Sequence, residues 1–169
     1  MSEEMNREIF EHLFDTEIFT VKEDGDNEVH SFCLAERPAG RIKLLVLLND
    51  EMNEKASSSD IELLNKIADF KEYHVTREEV AVLNLAHQTV SLKQLIKSFS
   101  SPNILCFGIS PAELGLQIDS RNNQLMHFRG VNFVFTSSLQ QISKNEKLKK
   151  QFFLEALKPM LSSSNQDQK

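Results

Sequence analysis

The sequence predicts an α/β protein, a three-layer α/β/α sandwich built on a mostly parallel sheet of about four strands. Three observations carry this expectation. Four short apolar runs, Ile42–Leu48, Val80–Leu85, Ile104–Phe107 and Val131–Phe135, lack the regular polar alternation of a half-exposed strand and therefore suit strands buried on both faces. Two of the intervals between them contain capping boxes, Ser59 with Glu62 and Ser91 with Gln94, each followed by apolar residues at helical spacing. Finally, 169 residues with 40% hydrophobic content, Phe 12 and Trp 0, are enough for one domain whose core is aliphatic and phenylalanine-filled.

In chain order, residues 1–21 form an acidic segment with an apolar stripe, Ile9, Phe10, Leu13 and Phe14, at helical spacing, followed by Ile18 and Phe19. Residues 22–28 contain no apolar side chain and include the turn pair Asp24-Gly25, so they are expected to be a linker or an exposed loop. Each large apolar side chain of the stripe would cost roughly 1.5–3 kcal/mol to leave in water, so the stripe needs a cover. It either packs back on its own domain or docks on another protein through Phe10, Leu13, Phe14, Ile18 and Phe19. The single α/β/α domain is expected over residues 29–161. It opens with an alternating, edge-type strand at Val29–Leu34 and a turn at Arg37-Pro38-Ala39-Gly40.

The strongest apolar run, Ile42–Leu48, is placed beside the Ile104 strand. A helix after Ser59 buries Ile61, Leu64, Ile67, Ala68 and Phe70, and one after Ser91 buries Leu92, Leu95, Ile96 and Phe99. Pro102 opens the stretch that ends at Gly108-Ile109-Ser110-Pro111, where a buried strand gives way to a turn. After the last strand a helix opens at Ser138 and pauses at Ser143-Lys144-Asn145. It resumes with Leu148, Phe152, Phe153, Ala156, Leu157 and Met160 on one side. A polar tail, 162–169, is expected to be disordered.

Charge and cysteine usage narrow the function classes. Nineteen basic against 25 acidic residues give a net charge of -6, which argues against holding nucleic acid by broad phosphate neutralisation, so any such contact is expected to be weak or indirect. Cys33 and Cys106 suit reduced core residues, and hence the cytoplasm, better than a disulfide or half a metal site. No apolar run approaches the roughly 18 residues a membrane span needs, and no membrane contact is expected.

The residues with catalytic potential do not assemble into a motif. His12, His30, His74, His87 and His127 show no metal-ligand spacing, and no cofactor signature is spelled. Ser110 follows one glycine and has no His or Lys near it in sequence, so neither a phosphate cradle nor a nucleophile elbow is present. Asp50 and Glu51 follow a core strand but suit a solvated loop. Lys144, Lys147, Lys149 and Lys150 fall opposite an apolar stripe and suit a solvated helix face. No catalytic, cofactor-binding or metal-binding residue is assigned, and the protein is expected not to be an enzyme.

Several stretches taken together resemble a known family. They are the Phe-containing amino-terminal segment, Leu-Leu-Val-Leu-Leu-Asn-Asp at 44–50, Leu83-Asn84-Leu85, and Leu105-Cys106-Phe107-Gly108-Ile109-Ser110-Pro111 with Leu114-Gly115-Leu116 behind it. Ser138-Leu139 and a closing helix at Lys147–Leu157 complete the set. In this order they look like the psi subunit of bacterial DNA polymerase III. The resemblance implies a non-catalytic accessory subunit of the clamp-loader complex, with a fold similar to uracil-DNA glycosylases. It implies clamp-loader subunits as partners through the amino-terminal segment, and a chi-like subunit, where one exists, through the globular body. The family's docking segment of spaced leucines, a Thr and an aromatic is matched by Phe10, Leu13, Thr16 and Ile18 or Phe19, whereas the Trp that typical members carry there has no counterpart. Two other classes stand beside this one: a glycosylase-like enzyme acting on nucleic acid, and an unrelated α/β interaction domain whose stripe completes its own core.

Overall fold

The computed structural model describes residues 32–33, 41–51, 62–66, 75–86 and 88–163. The four apolar runs are four adjacent parallel strands. They are β2 (Leu44–Leu48), β3 (Val80–Asn84), β4 (Asn103–Phe107) and β6 (Val131–Thr136), and they lie in one sheet in the order β3-β2-β4-β6. Val46 of β2 sits between Val82 and Leu105, so β2 is indeed beside the Ile104 strand. The sheet is longer than four strands because each end carries an antiparallel addition. β1 (Phe32–Cys33), within the expected edge strand, pairs with β3, and β5 (Leu125–Phe128) pairs with β6.

Alternation of side chains along each strand feeds two cores. Leu44, Val46, Leu48, Val80, Val82, Leu105, Phe107 and Val134 point to one, and Leu45, Leu47, Ala81, Leu83, Ile104, Cys106, Phe133 and Phe135 to the other. Both faces of β2, β3 and β4 are fully buried, which is why their sequences are apolar throughout apart from Asn84 at the end of β3 and Asn103 at the start of β4. The first core is covered by Leu64 from the helical residues 62–66 (α1) and by Leu139, Ile142, Phe152, Ala156, Leu157, Met160 and Leu161 from the carboxyl-terminal helices. The second is covered by Leu92 and Leu95 of α2 (Leu92–Phe99), with Ile109 and Leu114 from the loop after β4. Three layers result, as expected.

Local chemistry sets the helix boundaries. Ser91 and Gln94 form the reciprocal capping box that starts α2, and Ser138 with Gln141 does the same for α3 (Leu139–Lys144). The pause expected at Ser143-Lys144-Asn145 falls on its last residue. Asn145 leaves the helix in an extended conformation, and its side chain accepts the N–H groups of Lys147 and Leu148 to start α4 (Glu146–Gln151). A π-helical turn, Phe152–Leu157, then leads into α5 (Lys158–Ser163). The wide turn precedes Pro159, whose ring would press on the carbonyl four residues back in a regular helix, and it lets Ala156 and Leu157 both face the core. Phe152 stacks obliquely on Phe107 with ring centroids 5.4 Å apart, tying this layer to the centre of the sheet. α5 takes in Ser162 and Ser163, the first residues of the expected polar tail; 164–169 lie outside the described residues, as do Ser59 and residues 1–31.

The link from β4 to β6, unlike that from β3 to β4, contains no α-helix. It runs through a 3-10 turn (Pro111–Leu114) and then through β5, which forms a tight hairpin with β6. Arg129 and Gly130 at the hairpin tip both have positive φ, 51° and 78°, the requirement of a two-residue turn matched to strand twist. A polar ladder crosses the amino end of the sheet: Asn103 donates to the Lys43 carbonyl, Asn132 donates to Asn103 Oδ1, and His127 Nδ1 meets Asn132 Oδ1 at 3.0 Å.

Candidate functional site

In an open parallel sheet, the place where a ligand is expected is the carboxyl edge at the point where successive connections leave in opposite directions. Here the chain passes from β2 to β3 on one side and then to β4 on the other, so that point lies between the ends of β2 and β4. The loops meeting there are Asn49-Asp50-Glu51, Gly108-Ile109-Ser110, and Ser137-Ser138 after β6.

Several polar side chains at this edge bond to its own loops. Asn84, at the end of β3 and only 7% exposed, accepts from the backbone N–H groups of Asp50 and Ala86 through Oδ1 and donates from Nδ2 to the Asp50 carbonyl. Gln88 closes the same loop by donating to the Asn84 carbonyl. Across the switch point, Glu113 accepts both the N–H and the hydroxyl of Ser110 at 2.7 Å, and its second oxygen accepts the Asn49 amide at 3.3 Å. The Ser110 hydroxyl thus donates to the carboxylate that also accepts its own backbone N–H, and that carboxylate is in turn tied to Asn49. Thr136 donates to Asn123 at 2.7 Å, which pins the loop leading into β5. Gly108 takes φ +66°, and a Cβ there would stand 3.1 Å from the Ser138 Cβ, so its turn lets the β4 and β6 loops touch.

Between these loops lies a hollow of about 290 Å³ lined by Leu48, Phe107 and Leu139 at its apolar end and by Asn49, Asp50, Glu51, Ser138 and Gln140 at its polar end. Its ionisable side chains are the carboxylates of Asp50 and Glu51. The loop after β6 brings no histidine, and the Ser138 hydroxyl accepts the Gln141 N–H as a helix cap. A second hollow, about 440 Å³, is formed by the turn 112–119 and exposes Ile118.

Of the residues singled out in the sequence, Asp50 and Glu51 lie at the switch point, and Ser110 beside it. The lysines 144, 147, 149 and 150 lie on the outward side of α3 and α4, with Lys149 paired to Glu146. His127 is exposed on β5, and His12, His30, His74 and His87 lie outside the described residues. So do Phe10, Leu13, Phe14, Ile18 and Phe19, the proposed partner-binding set, and the linker 22–28. Cys106 is a free, fully buried thiol, and burial pushes its pKa far up. Among the described residues, no cluster of His, Cys, Asp and Glu is placed to hold a metal ion, and no helix is long and apolar enough to cross a membrane.

Asn84 and Glu113 were not singled out by sequence. Ser110-Pro111-Ala112-Glu113 does spell a capping box with proline at the first position, a signal that would have placed Glu113 against Ser110. The Asn84 clamp had no such local signal, because its partner Asp50 is 34 residues away. No protein-family model matches the chain, and no curated protein matches it.

Proposed function

We propose that this protein is a non-catalytic connector of the cytoplasm, an accessory subunit of a bacterial replicative polymerase's clamp-loader complex. Its amino-terminal segment binds loader subunits, and its globular body contacts a chi-like subunit where one exists. The reading draws on the resemblance to the psi subunit. One observation carries it further: several polar side chains at this edge are engaged with its own loops, Asn84 with the Asp50 backbone, and Glu113 with Ser110 and Asn49. A hydrolase or glycosylase directs its base and its donors towards a substrate. Here Asn84, Ser110 and Glu113 fasten architecture, which suits a body that serves as a rigid mount for other proteins.

The deciding experiment is affinity purification of the tagged full chain from its native cell. Loader subunits should co-purify, and Phe10→Ala combined with Phe14→Ala should abolish this while leaving the thermal midpoint nearly unchanged. If the stripe instead completes its own core, the double substitution should cost on the order of 3–5 kcal/mol per buried Phe, and the protein should unfold tens of degrees earlier. A glycosylase reading would draw on Asp50 and Glu51 beside the 290 Å³ hollow. Release of uracil from DNA, lost on Asp50→Asn, would replace the connector with an enzyme.

A further inference from the structure

Charge is distributed very unevenly along this chain. Residues 1–31 contain ten acidic and two basic side chains, a net of −8 in a chain of net −6, so residues 32–169 carry +2. The excess positive charge is concentrated late. Lys144, Lys147, Lys149, Lys150 and Lys158 lie on α3, α4 and the start of α5, against Glu146 and Glu155. Lys149 is partly neutralised by Glu146 three residues before it. Lys147, Lys150, Leu154 and Lys158, at steps of three, four and four, are all exposed and share the side of the helical layer that faces away from the core. Leu154, 48% exposed, is therefore an apolar side chain set within a row of lysines.

Leu154 gives the lysine row one apolar contact point. An amphipathic acidic partner would use both features, its carboxylates on the lysines and an apolar side chain on Leu154. The segment 1–21 has that composition: Glu8, Glu11, Asp15 and Glu17 alternate with Phe10, Leu13 and Phe14. Its tether is long: the ten residues 22–31 can span roughly 33 Å when extended, against about 19 Å across the sheet from β1 to β6 at the usual strand spacing. We propose that the acidic amino-terminal segment of this same chain docks on the Lys147–Lys150–Leu154–Lys158 stripe when no other protein holds it. The stripe is then an internal holding site for the segment's acidic side, vacated in exchange for a partner. Surface ion pairs of this kind are individually weak and screened by salt, so the contact is reversible by design of its chemistry.

The test is zero-length carbodiimide cross-linking of the full-length protein at low ionic strength, with the links mapped by mass spectrometry. Amide links should join Glu8, Glu11 or Asp15 to Lys147, Lys150 or Lys158 within single chains. Raising the salt to about 0.5 M should cut their yield severalfold, since the screening length falls below about 5 Å. Lys147→Glu with Lys150→Glu should remove them while the thermal midpoint stays in place, and Lys93→Glu with Lys97→Glu on α2 should leave them intact. Links spread evenly over Lys66, Lys93 and Lys97 as well would overturn the proposal, as would links found only between two chains or links indifferent to salt. The contact is independent of the loader: its absence would leave the clamp-loader reading standing, and failure to capture loader subunits would leave the contact standing.

Discussion

Replacing Asn84 by Ala removes one side chain that closes two loops at the switch point. The amide makes at least three hydrogen bonds in a site 7% exposed: it accepts from Asp50 N at 3.1 Å and from Ala86 N at 3.2 Å, and it donates to Asp50 O at 3.0 Å. Each lost neutral bond is worth about 1 kcal/mol net, and a backbone group left buried without a partner costs about 1–3 kcal/mol. Partial access of water to the Asp50 loop lowers the total, so Asn84→Ala should destabilise the protein by about 2–4 kcal/mol. For a domain of this size that corresponds to roughly 5–15 °C in thermal midpoint. The measurement is paired thermal and urea unfolding. Asn84→Asp is the control, because it keeps acceptors for the two N–H groups but turns a carboxylate towards the Asp50 carbonyl; it should fall between wild type and Asn84→Ala. A loss below about 0.5 kcal/mol for Asn84→Ala would mean that the loops are held by other contacts and that the self-fastened edge is not a stability element.

Three further outcomes are expected. Gly108→Ala should cost about 2 kcal/mol or more in urea unfolding, from the positive-φ strain and the 3.1 Å approach to Ser138, and an unchanged midpoint would show that the turn readjusts freely. At Glu79 burial pushes the carboxyl pKa up, but the hydrogen bond and charge of Lys43 and the Thr76 N–H outweigh this and hold it below the ordinary value. The folded state therefore binds its proton less readily than the unfolded one, so the contribution is present above about pH 4.5 and is lost on acidification. The stability gap between wild type and Glu79→Gln should narrow between roughly pH 5 and pH 3, and a gap that widens there would reverse the sign. Cys106 should resist alkylation at pH 8 in folded protein and react once urea unfolds it, as mapped by peptide mass; prompt modification of native protein would contradict its burial.

The parallel strands were legible because burial on both faces forces apolar runs, as in Leu44–Leu48 and residues 104–107 of β4. The helix pause at Asn145 was legible for a different reason, a short polar side chain that competes with the helix for its own backbone. β5 escaped notice. Met126, His127 and Phe128 form no apolar run, being an outer strand with an exposed end, and Arg129 stands at a turn position where Asn or Asp is the usual signal. The candidate site was half visible. Asp50, Glu51 and Ser110 could be placed at strand ends, but what they bond to depends on which strands become neighbours. Asn84 reaches Asp50 only because β3 lies beside β2, and Asn49 reaches Glu113 only because β4 lies on the other side.

The two cores are completed at different times as the chain emerges from the ribosome. The face carrying Leu45, Leu47, Ile104 and Cys106 receives its cover from α2 and the loop after β4, both synthesised before the last strand. The opposite face has α1 early, but Phe152, Ala156, Leu157, Met160 and Leu161 follow every strand. A nascent chain halted after β6 would present Val46, Leu105, Phe107 and Val134 on a formed sheet without their cover, an apolar surface of the kind chaperones bind. Ribosome stalling or truncation near residue 150 should therefore be far more damaging than its distance from the sheet would suggest, because the final helical turns close a core laid down a hundred residues earlier.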